Sequence, residues 1–241
     1  RARPRLRPRP PAAHSAATFP VPRAMTPPSA DALKQRHRDI RHTQSTDTAT
    51  RLHRAISWLT RAEQEKDDPD ACFIFLWVAL NAAYAREFGR DDTERGRFRR
   101  FVETLVGLDA CQCLHAALFE RFSGPIRTLI DNRYVFDPFW TALREHDSSD
   151  RWKTAFANSR KAALAAVLAR DTATVLTIVF DRLYVLRNQL VHGGATWNSR
   201  LNRQQVRDGV AILGTLVPLV LSVMLDHPQH DFGEVLYPAV G

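Results

Sequence analysis

Five apolar residues, Leu176, Val179, Leu183, Leu186 and Leu190, recur at spacings of three, four, three and four, and the pair Gly193-Gly194 stands just beyond them. That period puts all five on one face of an α-helix, and paired glycines are a strong signal for its C-terminus. The same spacing pervades the chain after about residue 48, while glycine is scarce and no alternating apolar and polar run of strand length stands out. The chain therefore reads as all-α.

Helices are expected over Thr48 to Glu65, Asp70 to Phe88, Thr93 to Leu108, Cys111 to Phe122, Ser149 to Arg170, Asp171 to His192 and Arg200 to Asp226. Asp67-Asp68-Pro69 separates the first two, and Ser148-Ser149-Asp150 offers N-caps to a later one. Gly124-Pro125, Asp137-Pro138 and the aromatic residues Tyr134, Phe136, Phe139 and Trp140 mark an irregular or short-helical connector. The apolar run from Val210 to Leu225 is shorter than the roughly 20 residues a bilayer needs and contains Gly214, Pro218 and Ser222. A buried bundle helix kinked at Pro218, with no membrane partner, is the better reading.

The formal charge of +8 invites a nucleic-acid interpretation, but residues 1–24 carry six arginines and no acid, and without them the balance falls to +2. Rich in Pro and Arg and lacking apolar periodicity, this stretch reads as a disordered tail, with a basic RNA-binding arm as the alternative. Met25 would serve as a natural start, which makes residues 1–24 a candidate for non-native sequence. The expected organisation is a disordered tail over 1–47, a helical domain over 48–226 and a C-terminal tail over 227–241. Cys72, Cys111 and Cys113 are too few and too unevenly placed for a disulfide framework, and no secretory signal opens the chain, so a reducing cytoplasm is expected.

Arg187-Asn188-Gln189-Leu190-Val191-His192 ends the helix described first. Its Arg-x-x-x-x-His spelling is weak in a chain with 30 arginines, and Arg9 to His14 matches it equally well inside the Pro-rich tail. Placement separates the two. Asn188 and His192 fall one turn apart, roughly opposite the apolar stripe and in line with Val185 and Ile178, while Arg187 projects from its flank. The imidazole stands in the last turn, at the negative end of the helix dipole. A helix with two partly apolar faces wants two partners, and the second could be another copy of the chain meeting motif to motif across a two-fold axis. The bland reading is that Arg187 and His192 cap the last carbonyls or hydrate the surface.

The stretch RNQLVHGG resembles the R[N/D]xxxH signature of HEPN domains, and FIFLWVALNAAY (Phe73 to Tyr84) resembles the Trp, Asn and Tyr helix of the Apea-like HEPN group. The connector RYVFDPFW (Arg133 to Trp140) and the closing VLSVMLD (Val220 to Asp226) fit the same group, so the resemblance covers most of residues 48–226. It implies a HEPN-type helical bundle, usually dimeric, in which two motifs form a metal-independent endoribonuclease site, often in toxin-antitoxin or anti-phage systems. Carried over by position, the catalytic residues are Arg187, Asn188 and His192, with no cofactor or metal. The expected partners are RNA, a second copy of the chain, and an antitoxin or defence-system protein. The alternative is a non-catalytic HEPN module that binds RNA, nucleotide or a protein partner, because many such domains keep the fold and lose the chemistry.

Other constellations are weaker. Cys111, Cys113 and His115 have metal-binding residue types, but on a helix those positions splay around the axis. Asp226, His227, His230 and Asp231 follow the last helix in the expected tail. Trp77, Asn81 and Tyr84 share a helix face and read as core, with Asn81 satisfying a buried backbone group or the motif helix. Arg95, Arg97, Arg99 and Arg100, interleaved with Phe98 and Phe101, form a candidate RNA-backbone patch or a solvated face.

Overall fold

A computed structural model describes residues 26–85, 94–200 and 202–238, and among them the chain forms ten α-helices and no strand. They are α1 (Ala30–Ile40), α2 (Thr46–Gln64), α3 (Pro69–Tyr84), α4 (Glu94–Leu108), α5 (Cys113–Ala116), α6 (Ser123–Asp131), α7 (Asp137–Arg144), α8 (Arg151–Leu168), α9 (Thr172–Val191) and α10 (Arg203–Asp226). Short 3-10 turns at Arg41–Thr43 and Arg133–Val135 and a π-helical turn at Ala117–Arg121 join them. The all-α expectation holds.

Local chemistry sets the boundaries. Ser45 Oγ accepts from the Thr48 N–H at 3.1 Å, Asp68 Oδ1 from the Asp70 and Ala71 N–H groups, and Asp171 Oδ1 from the Thr174 N–H at 3.0 Å, so α2, α3 and α9 each start on a side-chain cap. Pro125 and Pro138 lie in the first turns of α6 and α7, where the missing N–H would have had no helical partner. The expected cap on α8 differs: Asp150 occupies the position in left-handed conformation and its carboxylate receives Lys153 instead. The segment expected as one helix over Cys111 to Phe122 is broken, because Gln112 is also left-handed and α5 begins only at Cys113.

The core centres on α3, which packs between α2 and α10 and buries Phe73, Leu76, Trp77 and Leu80. Burying a side chain the size of Phe73 contributes about 1.5–3 kcal/mol. Close approach is permitted by Gly209 of α10, where a Cβ would lie 2.7 Å from the Phe73 ring and 3.2 Å from Leu183 of α9. By length and composition α10 could cross a membrane, but 72% of its most apolar window is buried inside the bundle, and the helix runs unbroken through Pro218.

Two boundaries expected from sequence are corrected. Residues 30–47 are not a tail: α1 buries Ala30, Leu33 and His37 against α2 and α10, and Arg36 pairs with Asp226 at the end of α10. The C-terminal segment is ordered through residue 238, with Phe232 buried and Val235 N–H donating to Asp47. Its anchor is Arg51 of α2, wholly buried, which donates to the carbonyls of Ala83, Ala85, Gly233 and Glu234. A charge in the core is tolerable when hydrogen bonds replace its water, as here. The disorder expected for residues 1–25, including the decoy at Arg9 and His14, lies outside the described residues.

Cys111 and Cys113 form a single disulfide while Cys72 stays free, so no framework of bridges is present among the described residues. The left-handed turn at Gln112 brings their Cα atoms to 5.3 Å, inside the span a disulfide bridges.

Candidate functional site at the end of α9

The stripe predicted on α9 faces the core: Leu176, Val179, Leu183 and Leu186 are buried and Leu190 packs against the same cluster. The helix ends as its glycines require. Gly193 takes φ +70°, its N–H donates to the Leu190 carbonyl at 3.4 Å, and the Gly194 N–H donates to the Gln189 carbonyl at 2.7 Å. This paired closure leaves His192 at the cap position, exposed, with its own N–H bonded to the Asn188 carbonyl at 3.0 Å.

Asn188 and His192 line one broad cleft of about 920 Å³ together with Val185, as their spacing predicts. The opposite wall comes from distant sequence: Tyr134 just before α7, Asp137, Trp140 and Arg144 of α7, and Arg200, Asn202 and Gln205 at the entry to α10. Sequence reasoning had marked the aromatics of the connector but not their destination, and it had not singled out Gln189, Arg144 or Arg200.

Arg187 is half-buried beside the cleft rather than in its lining. Its Nη1 donates to Asn188 Oδ1 at 2.9 Å, its guanidinium lies 5.9 Å from the Tyr184 ring centroid, and its Nε is buried without a hydrogen-bond partner. Tyr184, Arg187 and Val191 follow one another at spacings of three and four, and the two apolar members are 36% and 49% exposed. This flank of α9 is an apolar face with an arginine at its centre.

Three sets of contacts fix the walls. Gln189 Nε2 donates to the Tyr134 carbonyl at 2.6 Å while its Oε1 accepts from Asn202 Nδ2 at 2.5 Å, so one side chain on α9 ties the opposite wall to the helix at two points. The loop after the motif is held to the start of α3, where Trp197 Nε1 donates to Asp68 and both the Asn198 N–H and Arg203 Nη2 donate to Asp70 Oδ2. The Trp197 hydrogen bond, with the Ala71 N–H, holds the Asp68 carboxyl below its ordinary range. Beneath the connector, Arg182 of α9 is buried under Phe136 and Phe156 and donates to Ser159 of α8. Burial brings its pKa down to about 10. A smaller cavity of about 340 Å³ adjoins the cleft, sharing Asp137 and Val185.

The other constellations do not converge on the cleft. Trp77 is core and meets Tyr184 of α9 at 6.0 Å between ring centroids. Asn81 turns away, lining a separate cavity with Arg51 and Tyr237, and its Oδ1 is buried without a partner. The expectation that it satisfies the motif helix is not met. The arginine run on α4 is not one patch: Arg97 is buried, Arg95 pairs with Asp181 of α9, and Arg99 with Glu103. Asp109, Cys111 and Cys113 bring ligand atoms within 4.8 Å of one another, but the thiols are joined and the carboxylate accepts the N–H groups of Cys113 and Leu114. His115 is bonded to Thr172 and Arg170, and His227 to the Leu108 carbonyl.

No protein-family model matches the chain, and neither a curated protein nor a solved structure matches it.

Proposed function

We propose that the chain is a HEPN-type, metal-independent endoribonuclease acting as a homodimer, with Arg187, Asn188 and His192 as its catalytic residues. The observation that carries the reading is the meeting of Asn188 and His192 in one cleft, with Arg187 bonded to Asn188 at its edge. RNA supplies its own nucleophile. The 2′-oxygen bonds to phosphorus, the P–O5′ bond breaks, and the products are a 2′,3′-cyclic phosphate and a 5′-hydroxyl. An imidazole exchanges protons near neutral pH, so it can take the 2′-OH proton or deliver one to the 5′-oxygen. Two copies of His192 divide these roles in a dimer. The planar fork of Arg187 suits the non-bridging phosphate oxygens, and Asn188 orients it.

The flank formed by Tyr184, Arg187 and Val191 is the face on which a second copy would pack, and such packing would carry each Arg187 toward the opposing cleft. A role in toxin-antitoxin or anti-phage defence, with a cognate partner protein, follows from the same resemblance. The position of Arg187 outside the cleft lining favours one other reading, a HEPN module that binds RNA, nucleotide or a protein without cutting.

Incubating wild type and His192→Ala with single-stranded RNA in chelator separates the two. The nuclease reading predicts cyclic-phosphate ends from wild type and a loss of roughly 10²- to 10⁴-fold in the variant, with helical content unchanged. Equal cleavage by both would overturn it, and no cleavage by either leaves the binding module as the reading.

A further inference from the structure

We infer that Tyr134 is the platform in this cleft on which one base of an unpaired RNA strand stacks, with Trp140, tilted 47° to its ring, holding it in place through the Tyr134 carbonyl. This rests on reading the cleft as an RNA site and adds the residue of this chain that holds a base there. Tyr134 is 41% exposed, yet its backbone and hydroxyl are fixed: the carbonyl accepts from Gln189 Nε2 at 2.6 Å and Trp140 Nε1 at 2.8 Å, the N–H donates to Asn132 Oδ1 at 2.8 Å, and the hydroxyl accepts from Arg133 at 2.9 Å. Phe139 stands perpendicular to the ring at 5.4 Å between centroids. An exposed aromatic held this firmly gives up little conformational freedom on binding, which is what a stacking platform needs.

The surroundings suit the same ligand. Arg144 and Arg200 line the cleft, and neither forms an ion pair among the described residues, so both are available to backbone phosphates. Asp137, the acid in the lining, repels phosphate on its side and leaves the two arginines to set the strand's path. Bases within an A-form duplex already stack on their neighbours and present only their edges, so a side-chain platform has nothing to stack against there. A loop, bulge or free strand offers an open base face.

The test measures binding apart from cleavage, using the full chain with His192→Ala and a fluorescently labelled 12-nucleotide RNA, as a single strand and as a duplex. Tyr134→Ala removes the ring but keeps the carbonyl that Gln189 and Trp140 hold, and Tyr134→Phe keeps the stacking face. The expected result is single-strand affinity weakened at least roughly fivefold by Tyr134→Ala, little changed by Tyr134→Phe, and a duplex affinity indifferent to both. Undiminished single-strand binding by Tyr134→Ala, or duplex binding as tight as single-strand binding, overturns the platform while leaving the nuclease reading intact. Failure of His192→Ala to bind either RNA, together with inert wild type, overturns both.

Discussion

Arg187 Nη1 donates to Oδ1 of the adjacent Asn188 at 2.9 Å. Neighbours on a helix point about 100° apart, so this bond ties a guanidinium outside the cleft lining to a side chain that lines the cleft. Asn188 is then an orienting group for Arg187 as much as a group in its own right. Asn188→Ala is expected to lower kcat by roughly tenfold to a hundredfold without changing helical content, a smaller loss than His192→Ala produces. Asn188→Asp, which keeps the acceptor oxygen, should recover part of the loss. Unchanged kcat in Asn188→Ala would remove the bond from the mechanism.

Gln189 on α9 ties the opposite wall of the cleft to the helix at two points, the Tyr134 carbonyl and the Asn202 amide. Replacing it with Leu keeps its bulk and deletes both bonds. Each deletion costs about 0.5–1.5 kcal/mol, so chemical denaturation should show a loss of about 1–3 kcal/mol. Because the residue shapes the cleft without touching the reacting phosphate, its kinetic signature should be a raised KM for RNA with kcat largely kept. A fall in kcat at constant KM would place Gln189 in the chemistry instead.

The two glycines of α10 make a matched pair. A methyl group at Gly209 would meet Phe73 at 2.7 Å and Leu183 at 3.2 Å, whereas one at Gly214 would meet only Leu76, at 3.8 Å. Gly209→Ala should therefore destabilise the bundle by about 1–3 kcal/mol, as overpacking does. Gly214→Ala gains helix propensity in ordinary contact and should be neutral or stabilising by up to about 1 kcal/mol. Urea melts of the two variants beside wild type check this, and the reverse order would refute the packing at α3, α9 and α10.

What could be read in advance followed the reach of each physical signal. The period of α9 fixed which side of the helix carries Val185, Asn188 and His192, because a helix face depends only on spacing. The opposite wall could not be read that way, since Tyr134, Trp140, Arg144 and Arg200 reach the cleft through tertiary packing of the connector and the α9–α10 loop. The same limit hid the ordered ends. α1 is a short, mostly polar helix with only Ala30, Leu33 and His37 turned inward, too few to outweigh its charges in a window of sequence. The C-terminal segment is anchored through backbone carbonyls on Arg51, and carbonyls carry no sequence signature. The Cys111–Cys113 bridge escaped because its geometry depends on one left-handed residue, Gln112.

His37 gives the bundle a pH dependence of defined sign. It is buried in α1, its Nε2 has no hydrogen-bond partner, and burial lowers its pKa below 6.5, with Arg41 and His53 adding electrostatic repulsion. In the unfolded chain the imidazole titrates near its ordinary value, so as pH falls below about 6.5 the unfolded state takes up a proton that the folded state resists. The contribution of His37 to stability is whole above that value and declines as pH drops toward the folded pKa. His37→Leu, which keeps an apolar body in place and cannot protonate, should flatten this part of the stability profile between about pH 7 and pH 5 relative to wild type. The loss in wild type should begin where α1 meets α2 and α10, so hydrogen exchange in Ala30–Ile40 should quicken on acidification before that of α3 does. Identical pH profiles for wild type and His37→Leu would show that the buried imidazole does not govern the docking of α1.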